Sequence, residues 1–129
     1  MRYHLDTDFL VKALFAAGPE RELLRAISDS PAEIEMSALA WYEFCRGPRL
    51  PQQEAVARSY LEIDGVVALD ESAATQAAEI FRRLGSSRRR AADVAIAAIA
   101  IRRGARLLTG NTRDYSDIEE LSTGPEPER

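Results

Sequence analysis

The 129-residue sequence predicts an α/β fold, a three-layer α/β/α sandwich around a central, mainly parallel sheet. Two observations predict it. Short segments with strand character alternate along the chain with longer segments of helical periodicity, which is typical of strand–helix–strand units. One helical segment, residues 94–101, is apolar on nearly all sides, and such a helix is normally buried. A parallel sheet covered by helices on both faces accommodates both observations.

The first third of the chain contains two predicted strands with two predicted helices between them. Arg2–Leu5 is short and compatible with a strand, and residues 6–8 (Asp-Thr-Asp) can cap the helix that follows. The Gly-Pro pair at 18–19 ends this helix and begins another, since proline suits the first helical turn. Glu33–Ser37 alternates polar and apolar side chains, as a strand does.

The sequence of the middle third of the chain predicts two helices and a strand. Ala38–Cys45 forms a helix that the Gly-Pro pair at 47–48 ends, and residues 51–63 form the next helix, with apolar side chains on one face. The Asp-Gly pair at 64–65 turns the chain into a strand over residues 66–69. The alternation of helix and strand therefore continues.

The last third contains the most apolar helix. Asp70 caps a helix with regularly spaced apolar residues, and the basic connector 85–90 leads into the apolar helix described above. Arg106–Leu108 is a short strand. The Pro- and Glu-rich tail, residues 123–129, cannot build a core and is expected to be disordered. The expected organisation is one domain over residues 1–122.

Composition predicts a soluble protein of a reducing compartment. The hydrophobic fraction of 46% and charged fraction of 29% are those of an ordinary globular domain. A single cysteine, Cys45, cannot form an intramolecular disulfide. The N-terminus lacks the apolar core of a signal peptide, and the longest apolar run, eight residues, is too short to span a bilayer. We therefore expect a cytoplasmic protein.

Positive charge is concentrated in one part of an acidic chain. The net charge is −4, yet the segment between Arg82 and Arg113 carries nine arginines and a single acid, Asp93. Because guanidinium groups pair well with phosphate, this distribution suggests an anion-binding face. A solvated face with ion pairs to the acidic remainder of the chain explains it equally well.

Four carboxylates are predicted to share one edge of the sheet. Asp6 directly follows the first strand, and Asp114 lies a few residues beyond the strand that ends at Leu108. Glu43 and Asp93 lie near the starts of helices that begin on the same side. In open α/β sheets the functional site lies beyond the carboxyl ends of the strands, which is where these acids would meet.

Each acid also has a structural interpretation. Asp6 and Asp93 are placed where aspartates commonly cap helices, and the neighbouring Asp8 is interpreted as a cap or a solvated residue. Asp114 could stabilise a turn, and Asp117 is an equivalent candidate for its position. Glu43 is the hardest to explain structurally because apolar and aromatic residues surround it in sequence, and a buried glutamate requires a partner.

A group of carboxylates indicates a hard divalent cation. Grouped acids repel one another unless positive charge neutralises them. The chain has only one histidine, His4, interpreted as a packed strand residue, and one cysteine, so a zinc site is disfavoured. All-oxygen ligation suits Mg²⁺ or Mn²⁺, and such an ion beside an arginine-rich face suits phosphodiester hydrolysis. With one histidine in the chain, no Ser/His or Cys/His nucleophile set can be assembled, which disfavours a covalent mechanism.

Four segments, in order and over nearly the whole chain, resemble a PIN-domain ribonuclease of the VapC-like toxin type. They are LDTDFL, SALAWYEFCRG, ADVAIAAIA and GARLLTGNTRDY. The resemblance implies a Mg²⁺- or Mn²⁺-dependent endoribonuclease that acts as the toxin of a toxin–antitoxin pair. It assigns the catalytic and metal-binding positions to Asp6, Glu43, Asp93 and Asp114. It assigns supporting roles to Thr7, Thr109 and Asn111, and it places Tyr115 as a packing residue.

The resemblance also implies partners. The substrate is RNA, and five arginines are expected to contact its phosphates: Arg46, Arg88, Arg89, Arg90 and Arg113. A cognate antitoxin is expected to lay a helical segment in an apolar groove near the first helices. Aromatic candidates for this groove, each also interpretable as core, are Phe9, Phe15, Trp41 and Tyr60. A homodimer is expected as well.

Two other classes of protein compete with this interpretation. A phospho-acceptor receiver domain also has an acidic pocket, but it needs a lysine after a late strand, and the only lysine is Lys12 in the first helix. A PIN-like module that binds RNA or a partner without cleaving RNA is the stronger alternative. Retention of all four acids disfavours this module without eliminating it.

Overall fold

A computed structural model, which describes residues 1–127, contains a four-stranded parallel sheet flanked by helices. The strand order is β3-β2-β1-β4, and every neighbouring pair is parallel. The strands are β1 Arg2–Leu5, β2 Glu33–Ser37, β3 Val66–Val67 and β4 Arg106–Leu108. The predicted fold class is confirmed.

Helices connect the strands. They are α1 Thr7–Phe15, α2 Pro19–Ser28, α3 Ala38–Cys45, α4 Pro51–Ser59, α5 Glu71–Arg83 and α6 Ala91–Arg102. Two 3₁₀ turns, Arg88–Arg90 and Thr112–Tyr115, flank the unit formed by α6 and β4. Within residues 1–127, no helix combines the length and the apolar character that crossing a bilayer requires.

Helix α6 is buried as its composition predicts. Seven consecutive side chains from Val94 to Ala100 are buried. Small alanines alternate with isoleucines in this stretch, so the helix can pack closely against α5 and the sheet at the same time. Because α6 is packed on all sides from Val94 onward, the position of its first turn, which carries Asp93, is set by the core.

Two elements are shorter than predicted. Helix α4 ends at Ser59 rather than at residue 63, because the Arg58 guanidinium binds the carbonyl of Glu62 at 2.9 Å and so stabilises a turn beyond the helix. Ile63, expected on an apolar helix face, is 92% exposed. Strand β3 stops at Val67 because its partner β2 ends at Ser37, opposite that residue.

Hydrogen bonding continues past the predicted domain end at residue 122. The Gly124 amide donates to the Leu107 carbonyl at 2.9 Å, and Thr123 forms a parallel bridge with Leu107. The Arg106 guanidinium donates to the carbonyls of Thr123 and Gly124, each at 2.8 Å. The tail expected to be disordered from residue 123 is therefore bound along β4 at its start, while its last two positions, 128–129, lie outside the described residues.

A buried ionic network lies on the sheet away from the four acids. His4 Nδ1 and Glu35 Oε2 are 2.8 Å apart, and Arg103 donates to Glu35 at 2.9 Å. Burial opposes ionisation of Glu35, but the hydrogen bonds from His4 and Arg103 outweigh it and lower the pKa of this carboxyl. His4 is fully buried, which agrees with its interpretation as a packed strand residue.

Candidate functional site

Asp6 lies where β1 ends and α1 begins, at the carboxyl edge of the sheet. Its Oδ1 accepts a hydrogen bond from the Thr7 amide at 2.9 Å, so it caps the helix as its position predicts. Its Oδ2 lies 2.9 Å from the Thr109 hydroxyl and 3.0 Å from the Tyr115 hydroxyl. Asp6 is therefore both a structural cap and a carboxylate held by donors from a distant segment.

The environment of Asp6 is poorly neutralised. Burial and the nearby charge of Asp8 raise the pKa of Asp6 to about 6, although hydrogen bonds from Thr109, Tyr115 and Thr7 oppose that change. The side chain is nearly inaccessible, at 7% exposure. A carboxylate in this position gains stability from any cation that reaches it.

Asp93 faces the same place from the first turn of α6. Its Oδ1 lies 3.3 Å from the Tyr115 hydroxyl, so one hydroxyl contacts both Asp6 and Asp93. Burial raises the pKa of Asp93, and the charges of Asp114, Glu43 and Asp8 raise it further, against the hydrogen bond from Tyr115. Asp6 and Asp93 therefore meet at one hydroxyl, and the charges of three further acids act on Asp93.

Glu43 is connected to the site through Thr7. The Thr7 hydroxyl lies 3.1 Å from Glu43 Oε1 and 3.2 Å from the Ala40 carbonyl, which joins α1 to α3. Arg46 Nη2 lies 4.0 Å from Glu43 Oε2, and the Arg46 guanidinium also covers the Tyr42 ring at 5.3 Å. The expected polar partner of Glu43 is thus the Thr7 hydroxyl, and Arg46 forms a weak ion pair with the same carboxylate.

Asp114 and Asp117 have different environments. Arg90 binds both carboxylate oxygens of Asp117 at 2.7 Å, and this hydrogen bonding lowers the Asp117 pKa. Arg90 also donates to the Asp114 backbone carbonyl at 2.8 Å, while among residues 1–127 the Asp114 carboxylate, which lines a cavity with Asp93, has no hydrogen-bond or ion-pair partner. The free carboxylate favours Asp114 over Asp117 as the fourth acid.

Asp8 belongs to the site although the sequence suggested only a cap or a solvated residue. Its carboxylate accepts hydrogen bonds from the Asn111 side chain at 2.7 Å and the Gly110 amide at 3.2 Å. A Cβ at Gly110 would lie 2.9 Å from Asp8 Oδ2 and 2.7 Å from Lys12 Nζ, so any larger residue there would have to displace these two side chains. Asn111 thereby orients Asp8.

Tyr115 is the second functional residue that sequence reasoning underestimated. Its ring is buried, as expected of a packing residue, but its hydroxyl is directed at the acids. Burial and the charges of Asp6 and Asp93 raise the Tyr115 pKa far above its ordinary value, so the hydroxyl remains a donor. The Asp-Tyr pair at 114–115 was the available signal, because a tyrosine beside an acid at a sheet edge can reach a second acid.

The donor set suits a hard cation, but it is not assembled around one. Across residues 1–127, no group of three or more Asp, Glu, His or Cys side chains is arranged to hold a metal ion. The nearby donors are carboxylate and hydroxyl oxygens, the ligands that Mg²⁺ and Mn²⁺ prefer. The raised pKa values of Asp6 and Asp93 mark negative charge that the protein leaves uncompensated, which fits a divalent ion.

The predicted arginines are not all gathered at the acids. Arg89, Arg90 and Arg113 line a cavity of about 430 Å³ together with Asp93 and Asp114. Arg46 lies beside Glu43, and Arg88 is exposed on the 3₁₀ turn outside the cavity lining.

These features define the class of protein: a small α/β domain with a parallel sheet and acids at the carboxyl edge of that sheet. A model of the PIN domain family matches residues 3–121, and the chain belongs to this family. The predicted resemblance is confirmed. A search of curated proteins found no match.

Solved structures share the fold. The chain is similar to a chain of VapBC2 from Rickettsia felis bound to a promoter DNA fragment, with a TM-score of 0.74, 19% identity, and coverage of 98% of this chain and 100% of that one. It is also similar to a chain of a toxin–antitoxin complex from Klebsiella pneumoniae, with a TM-score of 0.71, 22% identity, and coverage of 97% of this chain and 99% of that one. For a chain of FitAcB from Neisseria gonorrhoeae, the TM-score is 0.71, the identity 19%, and the coverage 95% of this chain and 96% of that one. At these identities the likeness establishes the fold.

Proposed function

We propose that the protein is a Mg²⁺- or Mn²⁺-dependent endoribonuclease that hydrolyses RNA phosphodiester bonds at the site of Asp6, Glu43, Asp93 and Asp114. The observation that carries the proposal is the convergence of Asp6 and Asp93 on one hydroxyl, with Asp114 and Glu43 raising the pKa of Asp93. Membership of the PIN domain family supports it.

In this mechanism the four acids hold the divalent ion and other side chains keep them in place. Thr109 and Tyr115 orient Asp6, Thr7 orients Glu43, and Arg90 fixes the turn that carries Asp114. When bound, Mg²⁺ or Mn²⁺ supplies a Lewis acid that activates water and stabilises charge on the leaving oxygen. Asp93 and Asp114, which line the same cavity, would orient the attacking water by accepting its hydrogen bonds.

The absence of an alternative nucleophile set supports metal-assisted hydrolysis. His4, the chain's single histidine, is buried against Glu35 and is unavailable to activate a serine or cysteine. RNA is the proposed substrate because exposed arginines border the acids and can bind its phosphates.

We also propose that the protein is the toxin of a toxin–antitoxin pair. Similar chains occur in complexes described as toxin–antitoxin assemblies. An antitoxin helix would dock on aromatic side chains near α1 and α3, where Phe15 is 43% exposed and Trp41 stacks on Phe44 at 5.8 Å. Phe9, predicted as a candidate for this groove, is instead buried in the core, because it lies on the sheet-facing side of α1. Tyr60 is partly buried and remains a candidate.

Homodimerisation and a cytoplasmic location complete the proposal. The dimer is proposed from the family resemblance, and the cytoplasmic location from the single cysteine, which fits a reducing compartment. Analytical ultracentrifugation of the purified chain tests the dimer directly, and a monomer at micromolar concentration would contradict it.

The decisive experiment separates an enzyme from a binding module. The purified chain and its Asp93→Asn variant are incubated with total RNA in Mg²⁺, in EDTA, and in EDTA followed by excess Mn²⁺. We expect cleavage only by the unaltered chain with metal, and unchanged circular dichroism for the variant. Cleavage by the variant would exclude the assigned site. RNA binding without cleavage under any condition would favour the non-catalytic PIN-like module, which the lack of a preassembled three-ligand group in residues 1–127 keeps as the alternative.

A second experiment tests the partner. Expression of the chain alone should arrest growth, and co-expression of the reading frame next to its gene should relieve the arrest. Harmless expression of an enzyme that is active in vitro would contradict a toxin role.

A further inference from the structure

The cavity beside Asp93 and Asp114 has a lining that the acids alone do not explain. Its volume is about 430 Å³. Its other lining residues are basic or hydroxyl-bearing, apart from Asp117: Ser87, Arg89, Arg90, Arg113 and Ser116. Two separate segments contribute them, the turn before α6 and the turn after β4. The cavity therefore forms where the segments carrying two of the acids meet.

The three arginines of this cavity differ in their partners. Arg90 is bound to both oxygens of Asp117 at 2.7 Å, so its charge is neutralised and its position fixed. Arg89 and Arg113 are exposed, and among residues 1–127 neither side chain forms an ion pair or a hydrogen bond. The guanidinium groups of Arg89 and Arg113 are thus available at this cavity, whereas that of Arg90 is held by Asp117.

The chemistry of these groups selects a phosphate. A guanidinium group offers paired N–H donors that match phosphate oxygens, and the Ser87 hydroxyl can add another donor. Asp93 and Asp114 line the same cavity and repel an anion placed directly against them. The phosphate held by Arg89 and Arg113 is therefore separate from the phosphate positioned at the acids.

We propose that Arg89 and Arg113 together bind an RNA backbone phosphate other than the scissile one, at the cavity beside Asp93 and Asp114. Arg90 does not bind RNA in this arrangement; it positions the Asp114 turn. The proposal rests on the ribonuclease function proposed above and deepens it by separating a phosphate subsite from the cleavage site.

The test measures binding apart from cleavage. All proteins carry Asp93→Asn to prevent cleavage, and the probe is a fluorescein-labelled eight-nucleotide single-stranded RNA followed by anisotropy between 50 and 300 mM salt. Arg89→Gln and Arg113→Gln are each expected to weaken binding roughly three- to tenfold. Each is expected to reduce the log–log salt slope by up to about 0.7, the value for loss of the one phosphate contact that the two arginines share.

Arg88→Gln is the matched control. It removes the same charge from the 3₁₀ turn that carries Arg89. Arg88 was expected from the resemblance to contact RNA, but it lies outside the cavity lining and has no role in the proposed subsite. We expect it to change the dissociation constant less than twofold and to leave the salt slope unchanged. Equal losses in all three variants would overturn the subsite and reduce the effect to general charge.

Failure of the subsite and failure of the proposed function are distinguishable. If the unaltered chain cleaves RNA but Arg89→Gln and Arg113→Gln bind RNA as Arg88→Gln does, the ribonuclease function stands and the phosphate subsite is wrong. If the unaltered chain never cleaves RNA but the variants show the predicted salt slopes, the ribonuclease function is wrong. The two arginines are then a phosphate site of an RNA-binding module.

Discussion

The hydroxyl oxygen of Tyr115 lies 3.0 Å from Asp6 Oδ2 and 3.3 Å from Asp93 Oδ1. A tyrosine hydroxyl has one proton, so it can donate to only one of these carboxylates at a time. The second carboxylate is left with an unneutralised charge beside the first. This relationship explains how buried Asp6 and partly buried Asp93 are held close together before any cation binds, and why a cation would be attracted to them.

Removal of this hydroxyl should weaken metal binding more than folding. In Tyr115→Phe the ring still fills its buried position, but Asp6 loses one of its donors. We expect about tenfold more Mg²⁺ to be needed for half-maximal RNA cleavage, the usual effect of deleting a residue that orients a metal ligand. Tyr42→Phe, at an exposed tyrosine, is the control. An unchanged Mg²⁺ requirement would show that Tyr115 only packs.

Replacement of Asp6 should stabilise the metal-free protein at neutral pH. The folded chain binds the Asp6 proton more tightly than the unfolded chain, because burial raises the pKa from 3.8 to about 6. The stability contributed by Asp6 is therefore full below about pH 4 and is lost as the pH rises through about 6. Asp6→Asn does not ionise and should be more stable by about 2–3 kcal/mol above pH 6, with no difference near pH 4.

Urea unfolding in EDTA between pH 4 and pH 8 measures this difference. Asp29→Asn, at an exposed aspartate at the end of α2, is the control and should follow the unaltered chain at every pH. Parallel curves for Asp6→Asn and the unaltered chain would contradict the raised pKa.

A side chain at position 110 should disturb the site without a large loss of stability. In Gly110→Ala the new Cβ would lie 2.9 Å from Asp8 Oδ2, and Asn111 restrains that carboxylate from moving away. We expect RNA cleavage to fall at least fivefold, and the free energy of unfolding to fall by about 1 kcal/mol, the size of one lost hydrogen bond. Gly47→Ala, where the nearest atoms lie 3.4 Å away, should change neither. Full activity of Gly110→Ala would exclude Asp8 from the site.

The Arg90–Asp117 pair should matter for activity more than for stability. Both side chains are partly exposed, so the pair contributes at most about 1 kcal/mol to folding. Asp117→Asn should nevertheless lower cleavage severalfold, because Arg90 then fixes the Asp114 turn less firmly. The reversed pair, Arg90→Asp with Asp117→Arg, should recover part of the activity lost by Arg90→Asp alone.

A comparable ion pair away from the acids provides the control. Glu120→Gln breaks the Arg83–Glu120 pair, which has a 2.8 Å contact and similar exposure, and it should leave cleavage unchanged. Equal effects of Asp117→Asn and Glu120→Gln would mean that neither pair positions the site.

Local sequence was sufficient for the architecture and for the approximate position of the acids. Alternation of short strands with helices predicted the parallel sheet, and the unbroken apolar run of α6 predicted its burial. Asp6 could be placed at the sheet edge because it directly follows β1. These features depend on residues adjacent in the chain, whose propensities and spacing act within a few positions.

Tertiary structure alone decided which groups contact those acids. Tyr115 binds Asp6, 109 positions away in the sequence, and Asn111 binds Asp8, 103 positions away. Arg90 binds the carboxylate of Asp117, 27 positions away, and not that of Asp114. Such hydrogen bonds depend on the relative orientation of loops after the core has packed, and no local pattern encodes that orientation.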